Sequence, residues 1–221
     1  MQLTALITGS NRGIGLSLTK HYLSRGWNVI AACRQASPAL TESGAWVISG
    51  IDVAKPDSLN ILTNNLGNTK IDLLINNAGI LRNEVLGHLD FSTIEAQFAV
   101  NTLGPLRITE QVLRNLTDQA KIAMITSRMG SIADNTSGGR YGYRMSKAGL
   151  NIAAVSMAHD LKSRGISVGI IHPGLVGTEM IGGFGDVTPD QAAANIVQRI
   201  DEVNLANSGT FWHANGEILP W

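Results

Sequence analysis

The sequence lacks the features that mark secreted, membrane-anchored and nucleic-acid-binding proteins. A single cysteine, Cys33, excludes an internal disulfide and favours a reduced, cytoplasmic setting. The apolar runs are far shorter than the roughly 20 residues that span a membrane, and the first begins too early to leave room for a leader. Lys plus Arg total 17 and Asp plus Glu total 17, with no basic tract. We therefore expect neither nucleic acid nor a membrane as partner, since both attract clustered positive charge.

Metal-binding patterns are also missing, because His, Cys and carboxylate residues are not spaced as ligands. Hydrophobic residues make up 44% of the chain and charged residues 15%, which suits a buried core with a modest polar shell. The chain has 221 residues and shows no linker or repeat, which predicts one domain covering residues 1–221.

Short apolar runs alternate with longer helical patterns along the whole chain. The strand candidates are 3–8, 28–33, 45–50, 71–76, 121–126, 167–172 and 209–213. The helical patterns cover 13–25, 56–67, 91–116, 141–164 and 189–203. Most strand candidates are continuously apolar, which is typical of parallel strands covered on both faces. The alternation predicts an α/β fold with a doubly wound, mostly parallel sheet of seven strands.

The segment "TGSNRGIG" (8–15) follows the first strand candidate and opens a helix. Gly9 lets the chain turn sharply, while Gly13 and Gly15 let the backbone approach a diphosphate and the helix approach the sheet. The helix amino terminus then offers free N–H groups to the phosphates. A three-glycine turn alone is weak support, and an ordinary tight turn is the alternative.

The end of the second strand candidate bears on the type of nucleotide. An NAD site usually has Asp or Glu there, to bind the ribose 2′-hydroxyl. This chain has "AACRQASP" with Arg34, and the glycine turn adds Arg12. Two guanidinium groups suit a 2′-phosphate, which predicts NADP(H) as the preferred cofactor. NAD(H) is the alternative if the arginines are only solvated.

A tyrosine and a lysine four residues apart stand out in "GGRYGYRMSKAGLN" (138–151). Tyr143 and Lys147 fall on the same face of the predicted helix, whereas Met145 lies four residues after Tyr141. Carbonyl reduction needs hydride at carbon, from a nicotinamide, and a proton at oxygen. A tyrosine can donate that proton if a nearby charge lowers its pKa from about 10. Tyr143 is therefore the candidate general acid/base.

Four segments occur in the order and rough spacing of a known family: "TGSNRGIG" (8–15), "NNAG" (76–79), "YRMSK" (143–147) and "PGLVGT" (173–178). Together they resemble the short-chain dehydrogenase/reductase superfamily. The compact length and the ending "NGEILPW" look most like its C-factor and sniffer-type carbonyl reductase branch. The resemblance implies a Rossmann-type fold and an NADP(H)-dependent oxidoreductase acting on a small carbonyl or alcohol compound.

The resemblance also implies roles for individual residues. Tyr143 and Lys147 match the catalytic pair, Ser127 matches a serine that binds the substrate oxygen, and Asn101 matches an asparagine that holds a water of a proton relay. The implied cofactor-binding residues are Gly9, Ser10, Asn11, Arg12, Gly13, Ile14, Gly15, Arg34, Asp52, Val53, Asn77, Ala78, Gly79, Tyr143, Lys147, Pro173, Gly174, Val176 and Thr178. No metal is implied.

Several alternatives stay open. The gap from Ser127 to Tyr143 is longer than the family pattern, so Ser131 is a rival for the catalytic serine. A nucleotide-binding signalling or regulatory protein with little turnover is the second hypothesis for function. Pairing through the long helices near 91–116 and 148–164 predicts a homodimer or homotetramer. His172, beside Pro173, is interpreted as structural or pocket-lining.

Overall fold

A computed structural model describes residues 2–221 and contains one sheet of seven parallel strands. The strands are β1 Thr4–Thr8, β2 Asn28–Ala32, β3 Trp46–Ile48, β4 Ile71–Asn76, β5 Leu116–Ile125, β6 Ser167–His172 and β7 Phe211–His213. Their order across the sheet is β3-β2-β1-β4-β5-β6-β7, and each neighbouring pair is parallel. The predicted doubly wound α/β sheet is confirmed.

Helices cover both faces of the sheet. They are α1 Gly13–Ser24, α2 Pro38–Thr41, α3 Pro56–Leu66, α4 Phe91–Phe98, α5 Gly104–Val112, α6 Tyr141–Asp160 and α7 Pro189–Glu202. One apolar cluster contains side chains of α3, α5 and α6, and a second contains those of α1 and α7. Both faces of the central strands are therefore buried, which explains their continuously apolar sequences.

The predicted helix 91–116 is wrong in two respects. A π-helical turn, Ala99–Leu103, separates α4 from α5, and α5 ends at Val112. The strand predicted at 121–126 begins earlier, at Leu116, because Leu116 is buried and pairs with Ile71 beyond an irregularity in the register. The short helix α2 was not predicted, since four residues are too few for an amphipathic pattern.

The strand order reverses between β1 and β4, which lie side by side although β2 and β3 come between them in sequence. In such sheets ligands bind in the crevice outside the carboxyl ends of the strands at this reversal. The glycine turn follows β1 and the "NNAG" segment ends β4, so the fold brings both segments to one crevice.

Candidate active site

The glycine turn is packed too tightly for side chains. Gly9 and Gly13 have φ angles of 69° and 53°, which favour glycine. A Cβ on Gly15 would lie 2.2 Å from the carbonyl oxygen of Gly9, and one on Gly9 would lie 2.9 Å from Cα of Ala78. The first turn of α1 carries no acidic residue. Its free N–H groups and positive dipole end therefore suit an anion such as a diphosphate.

The segment after β4 is bonded to the glycine turn. The Thr8 hydroxyl accepts hydrogen bonds from the backbone N–H groups of Asn77, at 3.0 Å, and Ala78, at 3.1 Å. The Asn77 side-chain amide donates to the carbonyl oxygens of Thr8, at 3.0 Å, and Gly9, at 3.3 Å. These bonds hold the two cofactor-facing segments in one geometry.

A cleft of about 230 Å³ runs along these segments and reaches α6. The predicted cofactor residues that line it are Gly9, Asn11, Arg12, Gly13, Ile14, Gly15, Arg34, Asp52, Val53, Asn77, Ala78, Gly79, Tyr143, Lys147, Pro173 and Thr178. The sequence prediction therefore identified most of the residues that form the cleft wall.

Three predicted cofactor residues do not line this cleft. Ser10 is fully buried, and its hydroxyl donates to the Ile7 carbonyl at 2.7 Å. Its side chain therefore stabilises the turn and does not face the cleft. Val176 is buried and forms an isolated parallel β-bridge with Val187. Gly174 lies against the His213 ring, which a Cβ on this glycine would approach to 3.6 Å. These differences arise because a motif specifies position along the chain, whereas packing decides which way each side chain faces.

The cleft also contains residues that the sequence analysis did not assign to it. They are Ala32, Cys33, Ile51, Ile80, Val100, Ile125, Thr126, Glu179 and Met180. Ala32, Cys33, Ile125 and Thr126 end or follow β2 and β5, so the carboxyl-end rule for parallel strands could have found them. Burial raises the pKa of the Cys33 thiol, which argues against thiolate chemistry there.

Tyr143 and Lys147 project from the first turns of α6 at the inner end of the cleft. Nζ of Lys147 lies 5.8 Å from the centre of the Tyr143 ring and donates to the Ile125 carbonyl at 2.9 Å. Their side chains are largely removed from water, with exposed fractions of 9% for Tyr143 and 4% for Lys147. The predicted pair is therefore together and buried.

Burial controls the ionisation of this pair. It lowers the pKa of Lys147 to about 8. It also raises the pKa of Tyr143, against the opposing effects of a hydrogen bond with Ser127 and the positive charge of Arg140. The sequence analysis expected Lys147 to lower the tyrosine pKa. In this structure desolvation of the phenolate dominates instead, because both groups share one apolar environment.

The two serine candidates have different surroundings. Ser127 precedes a short 3₁₀ turn, accepts a hydrogen bond from the Met129 N–H at 3.1 Å and lies close enough to Tyr143 for its hydroxyl to lower the pKa of that tyrosine. The Ser131 hydroxyl donates to the Trp221 carbonyl at 2.9 Å and accepts from the Asp134 N–H at 3.0 Å. The fold thus places Ser127 near Tyr143, whereas the hydrogen bonds of Ser131 hold its loop to the residue Trp221.

Asn101 lies fully buried in the π-helical turn. Its side-chain oxygen accepts from the Ile80 N–H at 2.9 Å, and its amide donates to the Ile80 carbonyl at 2.9 Å and to the Ser146 hydroxyl at 3.0 Å. A Cβ on Gly79 would lie 3.3 Å from this oxygen and 3.8 Å from Nζ of Lys147. Asn101 therefore joins the segment after β4 to α6 close to the lysine.

His172 ends β6, where its ring meets that of His213 edge to face with centroids 4.9 Å apart. Burial, with the neighbouring positive charges, lowers the pKa of His172 to about 3, so its ring is neutral near pH 7. The ring does not line the cleft. A structural role fits this position.

Within residues 2–221, no cluster of three or more His, Cys, Asp or Glu side chains is arranged to hold a metal ion. In the same range, no helix has both the length and the apolar character needed to cross a bilayer.

The sequence is similar to known proteins along most of its length. The sequence profile described as "short chain dehydrogenase" matches residues 3–202. A 1-hydroxy-2-glutathionyl-2-methyl-3-butene dehydrogenase of Rhodococcus sp. is 40% identical over 224 residues, covering 99% of each chain. C-signal of Myxococcus xanthus is 42% identical over 154 residues, covering 68% of this chain and 93% of that protein.

Among solved structures, an NADPH-bound carbonyl reductase from chicken fatty liver superposes over all of both chains with a TM-score of 0.89 and 27% identity. The profile match spans most of the sequence, and the Rhodococcus relative matches nearly all of it. The chain therefore belongs to the short chain dehydrogenase family.

Proposed function

We propose that this protein is an NADP(H)-dependent oxidoreductase that acts on a carbonyl or alcohol group, with Tyr143 as general acid/base. One observation carries the proposal: Tyr143 and Lys147 lie together in the same cleft as the glycine turn, with Ser127 close to Tyr143. The opposite ends of one cleft thus carry an anion-binding turn and a buried proton donor.

The residues present fit a nicotinamide dinucleotide. The first turn of α1 carries no acidic residue, and its packing requires glycine, since a Cβ on Gly15 would lie 2.2 Å from the Gly9 carbonyl oxygen. No carboxylate stands at the end of β2, where Arg34 is exposed and lines the cleft with Arg12. The chicken carbonyl reductase is described as NADPH bound. These points support NADP(H), and NAD(H) is the alternative that the experiment below measures.

When bound, the cofactor supplies or accepts the hydride. The chain's own residues handle the oxygen. The Ser127 hydroxyl binds the carbonyl oxygen, and the Tyr143 hydroxyl gives it a proton during reduction or takes one during oxidation. Lys147 supplies positive charge beside the phenolate, and its bond to Ile125 holds Nζ in place. Burial of Tyr143 and Lys147 keeps bulk water from the reacting groups.

The direct test measures NADPH and NADH oxidation with a panel of aldehydes, ketones and quinones, and the reverse reaction with alcohols. The panel includes a hydroxyl-bearing glutathione conjugate, because the Rhodococcus relative is named for one. Tyr143→Phe should lower turnover by about 10²–10⁴-fold while NADPH binding persists. The matched control is Tyr141→Phe, which makes the same change two residues earlier on α6.

Turnover retained in Tyr143→Phe would overturn the assignment of the general acid/base. The likeness to C-signal keeps the regulatory hypothesis as a second candidate. NADPH binding without turnover of any compound in the panel would favour that candidate.

We also propose that the protein forms a homodimer or homotetramer through the long helices. Ile152 and Met145 on α6 are exposed, as are Leu103 and Leu106 beside and within α5. Apolar side chains on neighbouring helices are what a helix–helix interface needs. Light scattering should give a multiple of the 23.5 kDa chain, and Ile152→Glu should shift the mass towards one chain. A cytoplasmic location stays a prediction.

A further inference from the structure

Arg140 has an unusual backbone conformation for its residue type. It immediately precedes α6, three residues before Tyr143, with φ 49° and ψ 46° in the left-handed region. Among the non-glycine residues of 2–221, only Gln119 shares a positive φ. The backbone N–H of Arg140 donates to the Glu84 carbonyl at 3.0 Å, and this bond holds the strained turn. Strain of this kind accumulates where a side chain must be aimed at a particular place.

The side chain of Arg140 lies between the loops that follow β4 and β5. Its Nε donates to the Asn83 side-chain oxygen at 3.1 Å, and its Nη1 lies 3.7 Å from the Met129 sulfur. Asn83 follows β4, and Met129 follows β5 and Ser127. The guanidinium is close enough to Tyr143 for its charge to lower the pKa of the tyrosine. Arg140 is thus near the reacting end.

Glu84, whose carbonyl accepts from Arg140, and the nearby-loop carboxylates of Asp134 and Glu217 are engaged by other groups. Asp134 and Glu217 both pair with Arg128, at 3.0 and 3.3 Å. The buried Glu84 carboxylate accepts hydrogen bonds from the Gly142 N–H and from side chains of α4. The ion pairs formed among residues 2–221 do not include Arg140. Among the described residues the Arg140 guanidinium therefore has no ion-pair partner, although it lies close enough to influence Tyr143.

The side chain of the neighbouring Arg144 is hydrogen-bonded to the loop that precedes α6. Its Nε donates to the carbonyl oxygens of Gly138 and Gly139, both at 3.2 Å, and its Nη2 donates to the Ser137 hydroxyl at 2.8 Å. These bonds hold the loop that leads into Arg140. Arg140 alone keeps terminal N–H groups free of oxygen acceptors while lying beside the reacting residues.

We propose that Arg140 is a specificity-determining residue that binds a carboxylate on the substrate, so that the enzyme acts on carbonyl or alcohol compounds bearing an anionic group. The inference rests on the proposed function of this cleft. A guanidinium offers parallel N–H groups that match the two oxygens of a carboxylate. The strained turn and the bond to Asn83 orient the group beforehand, so little side-chain entropy is lost on binding.

The test compares charged and neutral aldehydes of similar reactivity. The probes are 3- and 4-formylbenzoate, which bracket the reach from the carbonyl to the guanidinium, and their methyl esters. Wild-type protein should show higher kcat/KM for an acid than for its ester. In Arg140→Asn this acid-to-ester ratio should fall about ten- to hundredfold, the usual size of a charged hydrogen bond. Asparagine tolerates the left-handed conformation, so the variant should fold.

The acid-to-ester ratio of kcat/KM isolates the effect of the substrate's charge. Any effect of the substitution on Tyr143 would change kcat/KM for acid and ester alike. Arg140→Lys should keep part of the preference. Arg114→Asn removes an exposed arginine between α5 and β5, at the opposite end of the sheet, and should leave the ratio unchanged. An unchanged ratio in Arg140→Asn, or an equal loss for acid and ester, overturns the inference. So does an equal change in Arg114→Asn.

A binding measurement keeps the inference independent of turnover. If wild-type protein reduces neither the formylbenzoates nor their methyl esters, the proposed function loses support, and terephthalate binding to the NADPH complex then decides the inference. Calorimetry should give at least about tenfold weaker binding of terephthalate to Arg140→Asn than to wild type. Equal affinities, or no binding to wild type, overturn it.

Discussion

The guanidinium of Arg12 forms an ion pair with the carboxylate of Glu179 across the cofactor end of the cleft. Arg12 belongs to the glycine turn, and Glu179 begins the short 3₁₀ turn that follows Thr178. Both side chains are exposed, at 60% and 75%. Because Arg12 is a proposed ligand of the 2′-phosphate, Glu179 competes with that phosphate for the same guanidinium.

We expect Glu179→Gln to strengthen NADPH binding by up to about fivefold, since an exposed ion pair contributes at most about 1 kcal/mol. NADH binding should change little, because NADH has no 2′-phosphate. Fluorescence titrations at low and high salt measure both affinities, and the gain should shrink as salt rises. Glu217→Gln, which breaks an exposed pair with Arg128, is the matched control. An unchanged NADPH-to-NADH ratio in Glu179→Gln would contradict this competition.

Arg34 should contribute to the choice between the two nucleotides. Arg34→Asp places a carboxylate where NAD-binding relatives of this fold usually carry one. NADPH affinity should fall at least about tenfold, through loss of a charged hydrogen bond, while NADH affinity should hold or rise. Arg114→Asp makes the same charge change at the other end of the sheet and controls for net charge. Equal weakening of both cofactors by Arg34→Asp would remove the 2′-phosphate argument.

Ser127 and Ser131 should separate into a catalytic and a structural residue. Ser127→Ala should lower kcat by about 10²-fold or more, the usual loss for a group that stabilises charge on oxygen, with NADPH binding intact. Ser131→Ala should keep kcat but lower the unfolding free energy by about 1 kcal/mol, because its bonds to Trp221 and Asp134 are lost. Kinetics and urea unfolding of both variants measure this. The reverse pattern would make Ser131 the catalytic serine.

Lys147 should make the stability of the cofactor-free protein depend on alkaline pH. The pKa of this lysine is about 8 in the folded protein, against 10.5 as the ordinary value. Between these values the unfolded chain binds more protons than the folded one, so the unfolding free energy rises with pH. The rise attributable to Lys147 should be on the order of 3 kcal/mol.

Urea unfolding of wild type and Lys147→Met from pH 7 to pH 10 tests this titration. The difference between the two unfolding free energies should stay flat below about pH 8 and then move in favour of wild type. Methionine fills a similar volume without a charge, so the lost bond to Ile125 adds only a constant offset. Parallel curves over the whole range would mean that Lys147 does not titrate in this window.

Much of the fold and part of the site follow from patterns that are short in sequence. Apolar runs predicted the strands, because each strand must bury its own residues on both faces. The glycine turn and the Tyr143–Lys147 pair were visible because their geometry is set within a few residues, by a tight turn and by one turn of helix. The start of β5 shows the limit of such local prediction. Leu116 is a strand residue because it pairs with Ile71, about 45 residues away.

The sequence by itself determined the parallel α/β architecture, the glycine turn proposed to bind the diphosphate and the candidate proton donor, since local rules govern all three. Only the tertiary structure placed Ser127 near Tyr143, bonded Ser131 to Trp221, turned Ser10 into the interior and paired Arg12 with Glu179. It also set Arg140 beside Tyr143 without a carboxylate partner. Each of these outcomes depends on which distant segments meet, and such long-range packing is fixed only when the whole chain folds.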